Sequence, residues 1–289
     1  MTSETCRPAQ DVLNEPSSSN VIKELVSSST LEAKKLMAQA KEAARVQKVW
    51  ESLSAYVDRG WPLHIISLLD KEEALISKLR AENHSAISTL EEVYRAAKQQ
   101  AEALMRRHFP AYLEQACNVA GLPLDLDSRH PRYYFEKHFL ELFVDERKGF
   151  ARLSDYEGRL DEFPADIGAI VEAVKREHKR LFKRPFDGKK FLKKLRQQYL
   201  AIAKKENIPD GSSIPIRHIT RRLSKNQRGF RTDEFLIDLS KLIEQGPTEI
   251  EGFRLDLQHT KDTGEGMLLY GPAGRGYIGF VTFRRVGNG

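Results

Sequence analysis

A mainly α-helical chain with a small β component is what the sequence predicts, on three observations. Apolar residues recur at helical spacing from Val21 to Phe109. Aromatic and branched residues then cluster in short runs in the middle and at the C-terminus. Glycine and proline separate these patterns. The expected order is a flexible tail (1–20), a helical domain built as a long-helix hairpin or coiled coil (21–121), a β-hairpin with a basic helix (122–185), and a helix-rich module ending in strands (186–289). A 40% hydrophobic and 30% charged composition suits long solvated helices better than one compact ball.

Residues 1–20 carry Glu4, Arg7, Asp11 and Glu15 beside Ser17-Ser18-Ser19. They show no basic start followed by an apolar core, so no signal peptide is expected there. The first helix is read over Val21 to Val57, with Leu36, Ala40, Ala43, Trp50, Leu53 and Val57 near a three-four spacing, and it breaks at Gly60 and Pro62. A second is read from Pro62 to Phe109. Within it Ile76, Asn83, Leu90, Ala97 and Leu104 share one heptad position and Leu79, Ala86, Val93 and Gln100 the other, a pattern open to a coiled coil or to an ordinary bundle with one polar core slot. Residues 111–120 give a short helix ending at Gly121, and Leu122 to Pro131 a loop. Tyr134–Val144 and Phe150–Leu153, joined by the turn 145–149, read as a β-hairpin. Pro164-Ala165-Asp166 opens a helix whose last turns carry Lys175, Arg176, Lys179 and Arg180, cations that suit the negative end of a helix dipole.

The net charge of +6 hides a segregation. Residues 175–231 hold nineteen Lys/Arg against only Glu177, Asp187, Glu206 and Asp210, a surplus of +15 that leaves −9 for the rest of the chain. Solvated faces normally mix both signs, because a one-sided field repels itself. Such a segment fits a polyanion, and nucleic acid fits better than an anionic membrane, since the basic helices lack a broad aromatic and leucine face. No stretch approaches the run of about 18 apolar residues that spans a bilayer. Cys6 and Cys117 are too few and too far apart for a disulfide scaffold, which points to a reducing cytoplasm, with Cys117 a small core filler.

From Phe186 onward the elements come in a recognisable order. Phe191, Leu195, Tyr199 and Ile202 form the inner side of a helix; Ser213-Ile214-Pro215-Ile216 is a one-rung strand; Ile219 and Leu223 anchor a short helix; and Lys225 to Gly229 is a basic turn. Thr232 is the expected N-cap of a helix that runs through Phe235, Leu236, Leu239, Leu242 and Ile243 to Gly246. Met267–Tyr270 and Tyr277–Phe283 then pair as strands. Over about Phe186 to Val286 this pattern resembles the winged helix-turn-helix superfamily. The resemblance implies that the helix from Thr232 enters the major groove in DNA-binding members. That helix departs from expectation here: Asp233, Glu234, Asp238 and Glu244 outnumber Lys241, and carboxylates beside phosphates cost energy, so base readout by it is not expected.

The expected nucleic-acid contacts are instead Lys189, Lys190, Lys193, Lys194 and Arg196 on the preceding helix, Arg217, Arg221, Arg222, Lys225, Arg228 and Arg231 beyond it, and Arg284 and Arg285 on the last strand. Contacts of this kind position a protein on the backbone without specifying sequence. No catalytic site, metal site or cofactor is expected. Gly271-Pro272-Ala273-Gly274-Arg275-Gly276 joins two strands and lacks the lysine and Ser/Thr of a phosphate-binding loop. His130, Glu136 and His138 do not complete a metal shell, and no Ser-His-Asp logic surrounds His218. Two functions fit: an accessory subunit that holds double-stranded DNA by its backbone and docks a protein partner, or a second copy of itself, through the N-terminal helices; or a dimeric transcriptional regulator whose winged helix reads an operator.

Overall fold

A computed structural model describes residues 16–286 apart from 106, 107, 156, 263, 272 and 273. It is mainly helical (58%) with about 19% strand in antiparallel sheets, so the coarse fold class and the helical N-terminal region match expectation. The chain divides into two units, 1–60 and 61–289. The described part of the first is one helix, α1 (Pro16–Arg59), which Gly60 ends at φ +63°. It begins at Pro16, so residues 16–20 are helical rather than a flexible tail; the remainder of that tail lies outside the described residues. Proline at the start of a helix loses no hydrogen bond, since its missing N–H would have no intrahelical acceptor.

The second unit opens with α2 (Pro62–Lys71), α3 (Glu73–Ala81) and α4 (Ile87–Met105). These replace the continuous helix and heptad read from the sequence. The chain breaks at Glu72 and again at Asn83, which sits left-handed at φ +49°. Asparagine tolerates that conformation. The Asn83 and His84 N–H groups donate to the carbonyls of Arg80 and Leu79, closing the end of α3. The break lets α4 fold back: Arg80 meets Glu91 at 3.0 Å and the Tyr94 hydroxyl donates to Asp70 at 2.5 Å.

A first core joins α5 (Phe109–Val119), α6 (Ile167–Phe182) and a four-stranded antiparallel sheet in the order β1 (Arg132–Phe135), β2 (Leu140–Asp145), β3 (Phe150–Asp155), β4 (Gly158–Pro164). The expected hairpin is therefore half of a larger sheet. What reads as one strand over 134–144 is two, because Glu136, Lys137 and His138 all take positive φ and turn the chain. Strands alternate: Leu140, Leu142 and Val144 point into the core, as do Ala151 and Leu153, against Phe109, Leu113 and Cys117 of α5 and Ile170 and Val174 of α6. Burial pushes the Cys117 thiol up to about 11, consistent with a packed, unreactive side chain. Asp166 stands at the N-cap position of α6, makes no side-chain capping bond and is buried. Its carboxylate accepts the N–H groups of Leu63 and His64 at 3.0 and 2.8 Å, which fixes the start of α2 against the start of α6.

A second core follows. α7 (Gly188–Glu206) is capped by Asp187, whose carboxylate accepts the Lys190 N–H at 3.0 Å. After β5 (Ile214–Pro215) come α8 (Ile216–Asn226) and α9 (Thr232–Gln245). The C-terminus is mostly sheet: β6 (Glu249–Ile250), β7 (Phe253–His259), β8 (Met267–Gly271) and β9 (Gly274–Arg285), in the order β5-β9-β7-β6 with β8 also on β9. Leu195, Tyr199, Ile219, Leu223, Leu236, Leu239, Val281 and Phe283 fill this core. One local expectation changes: Thr232 is the first helical residue and not a cap. Ile243 is exposed at the end of α9. No helix among the described residues is long and apolar enough to cross a membrane.

Candidate nucleic-acid interface

The cations of the basic segment fall into two groups, and packing decides which. On α8, Ile216, Ile219, Thr220 and Leu223 are buried, so His218, Arg221, Arg222 and Lys225, two residues out of phase, share the opposite face. On α7, Leu192, Leu195, Tyr199 and Ile202 are buried, which turns Lys189, Lys190, Lys193, Lys204 and Lys205 outward. The two helices pack together. Lys194 donates to the Gln227 side chain, and Arg222 donates to the Gln198 side-chain carbonyl at 3.1 Å. Lys189, Lys190, Lys193, Arg221, Lys225 and, in the turn after α8, Arg228 are exposed and form no ion pair among the described residues. Lys205 is likewise exposed and without an ion pair among the described residues; it belongs to the basic segment but was not among the expected contacts.

Other expected contacts are already committed within the fold. Arg196 does not point outward. Its side chain is 5% exposed, its guanidinium makes a two-pronged pair with Asp210, and it stacks on Tyr199, Phe253 and Phe283. It follows Leu192 by four positions and precedes Tyr199 by three, so the geometry of α7 puts it in the buried stripe whatever its charge. Arg217 is held 3.5 Å from Glu157 and donates to the carbonyls of Glu265 and Gly266. Arg231 pairs with Asp233 at 3.1 Å. Arg284 and Arg285 are exposed on β9, with Arg284 2.7 Å from Asp256.

The acidic character of α9 has a structural explanation. Arg180 of α6 binds Asp233 and Glu234 as well as Glu177, and Arg184 just beyond α6 reaches Asp238 at 2.6 Å. Burial pushes the Asp233 carboxyl up, but Arg180 and Arg231 outweigh it and hold the group below the ordinary aspartate value. Asp238 goes the other way, raised by burial that Arg184 only partly offsets. Ile237 of α9 is buried in the first core, while Phe235, Leu236, Leu239 and Leu242 are buried in the second. α9 therefore joins the two cores and leaves only its last residues, Ile243 to Gln245, exposed.

The remaining candidate chemistry resolves as follows. Glu136 turns to His178 at 2.5 Å, and His138 to Asp127, so the two do not share a strand face. Asp125, Asp127 and His138 bring their ligand atoms within 4.8 Å of one another. Both oxygens of Asp125 accept N–H groups, from Lys137 and His138, and His138 Nε2 is held by Asp127, so the group satisfies itself. In the glycine-rich segment Gly271 pairs with Gly274 as β8 turns into β9; residues 272 and 273 lie outside the described residues. No protein-family model, no curated protein and no solved structure matches the chain.

Proposed function

We propose that this chain is a non-catalytic accessory subunit that holds double-stranded DNA by its phosphate backbone, largely without regard to sequence, within a multiprotein complex. The observation that carries the reading is the separation of charge. Among the described residues Lys189, Lys190, Lys193, Arg221, Lys225 and Arg228 are exposed and form no ion pair, whereas Asp233, Glu234 and Asp238 of α9 are turned onto Arg180 and Arg184. An unneutralised cationic face gains free energy from phosphates by releasing their counterions. In this proposal residues 186–286 are a winged helix-turn-helix module with an enlarged sheet. The order α7, β5, α8, α9 followed by the β8–β9 hairpin supports it. DNA lies against α7 and α8, because α9 is enclosed and has no free face for a groove.

The same proposal gives α1 to a protein partner. Ile22, Leu25, Val26, Leu36 and Met37 are each more than half exposed along it, a density of bare apolar side chains that solvated helices do not carry and partner-binding helices do. By analogy at the level of fold alone, the complex is of the ATPase-based chromosome-maintenance or antiviral-defence kind. The dimeric regulator is the less favoured reading, since it needs α9 to read bases. Footprinting on two duplexes of unrelated sequence separates them: uniform, salt-sensitive protection is expected, and protection of one defined site contradicts the proposal. Affinity purification with nuclease treatment is expected to retain a stoichiometric partner. Recovery of a bare homodimer contradicts the subunit role.

A further inference from the structure

The cationic face is not flat. A groove of about 400 Å³ runs between the end of α7 and α8, walled by Ile202 and Lys205 on one side and His218, Arg221, Arg222 and Lys225 on the other. Arg221 and Lys225 are one helical turn apart, about 6 Å along the axis, so their charges line the groove in series. Lys205 faces them from α7. Among the described residues none of these three has a carboxylate partner. Arg222 is steadied by Gln198, which fixes its guanidinium at the wall.

One acid enters the groove. Glu206 Oε1 lies 3.3 Å from His218 Nδ1, and both side chains are about two-fifths exposed (41% and 40%). The Nδ1 atom itself is covered and accepts or donates no hydrogen bond. The Glu206 carboxylate thus lines the same groove as Lys205, Arg221, Arg222 and Lys225 and forms no ion pair with them among the described residues.

We propose that this groove is the phosphate seat of the interface. It takes consecutive backbone phosphates of one strand of a duplex on Lys205, Arg221 and Lys225, and Glu206 is the built-in anion with which they compete. The proposal rests on the DNA-binding reading and adds to it the place where the backbone is gripped. Surface lysines elsewhere steer the polyanion; the groove holds it, because cations from two helices converge on its volume.

The test is fluorescence anisotropy of a labelled duplex with the full chain, read as affinity against salt. For R221Q/K225Q the slope of log K against log salt is expected to fall by about two and the affinity at moderate salt by roughly tenfold or more. The charge-matched pair K175Q/K179Q on α6 is expected to stay within about twofold of wild type. E206Q is expected to tighten binding by about fivefold, the removal of one like charge at short range in a solvated site. Thermal melts confirm that each variant is folded. Wild-type binding that R221Q/K225Q leaves unchanged, or that K175Q/K179Q weakens equally, overturns the groove while leaving the DNA reading in place. E206Q that fails to tighten binding overturns the part given to that carboxylate. Titration with inorganic phosphate and with a mononucleotide separates the source: binding of either without any binding of duplex overturns both the groove proposal and the DNA reading.

Discussion

Arg196 carries a charge that residue type alone would hand to a phosphate, and packing takes it away. Its position in α7 shares the stripe of Leu192, Leu195 and Tyr199, and its partner Asp210 stands fourteen residues on, beyond the turn. The stripe was legible in the sequence; the aromatic cage from Phe253 and Phe283 was not, since it depends on strands that arrive later in the chain. Arg196→Ala is expected to cost about 2–3 kcal/mol in a urea unfolding curve, because it strips a buried stack and leaves Asp210 unpaired. The salt slope of DNA binding by the folded variant is expected to match wild type; a drop in that slope returns Arg196 to the interface. Asp155 is the second residue with a measurable signature. Burial, and then the nearby Asp233, push its carboxyl up to about 6, against N–H donors from Glu157 and Gly158 that pull it down. A folded-state value above the unfolded one means that the native state holds the proton more tightly, so this group's stabilising contribution is full below about pH 4 and is lost as pH rises through 6. Asp155→Asn, which keeps the acceptor, is expected to raise the melting temperature by a few degrees at pH 7.5 and to change it little at pH 4.5. Equal shifts at both pH values contradict the account.

Among the elements, α9 is the one whose sequence and structure explain each other only together. Its acids rule out a groove reader at the level of sequence, but nothing local says what they face. The answer lies some fifty residues upstream, where Arg180 and Arg184 of the basic segment serve as the counter-charges of α9. Ile237, apolar and in phase with those acids, is the anchor of the same contact. Ile237→Ala is expected to destabilise the chain by about 2–4 kcal/mol, as truncation of a fully buried side chain does, read from the denaturant midpoint; a change below 0.5 kcal/mol contradicts its role as an anchor. The helices of residues 62–105 show the opposite limit. Their heptad is present in the sequence, yet breaks at Glu72 and at the left-handed Asn83 divide the long rod into α2, α3 and α4, with Arg80 of α3 meeting Glu91 of α4. The central sheet was half legible for a related reason: the turn at Glu136–His138 contains no glycine or proline to mark it. On α1, replacing Leu25 and Leu36 by serine is expected to abolish co-purification of the partner while leaving the melting of the second unit unchanged; full recovery of the partner contradicts the docking role.

The whole molecule sorts its charge. Of the +15 surplus in residues 175–231, Arg176, Arg180, Arg184, Arg196, Arg217 and Arg231 pair with carboxylates of the chain, and lysines and arginines of α7, α8 and the following turn form no ion pair among the described residues. The sum was legible in the sequence, and so was the phase of α8; the division between structural and free cations was not, because it is made by acids at Asp210, Asp233 and Asp238 that fold onto them. What remains is a mainly cationic face on which Glu206 is the acid of the groove and whose exposed cations form no ion pair among the described residues. The most direct test is the salt dependence of binding to two unrelated duplexes. The account predicts that log K falls linearly with log salt, with a slope between about −3 and −7 and the same for both sequences within a few tenths. A slope near zero, or one duplex bound at least a hundredfold more tightly than the other at moderate salt, contradicts it.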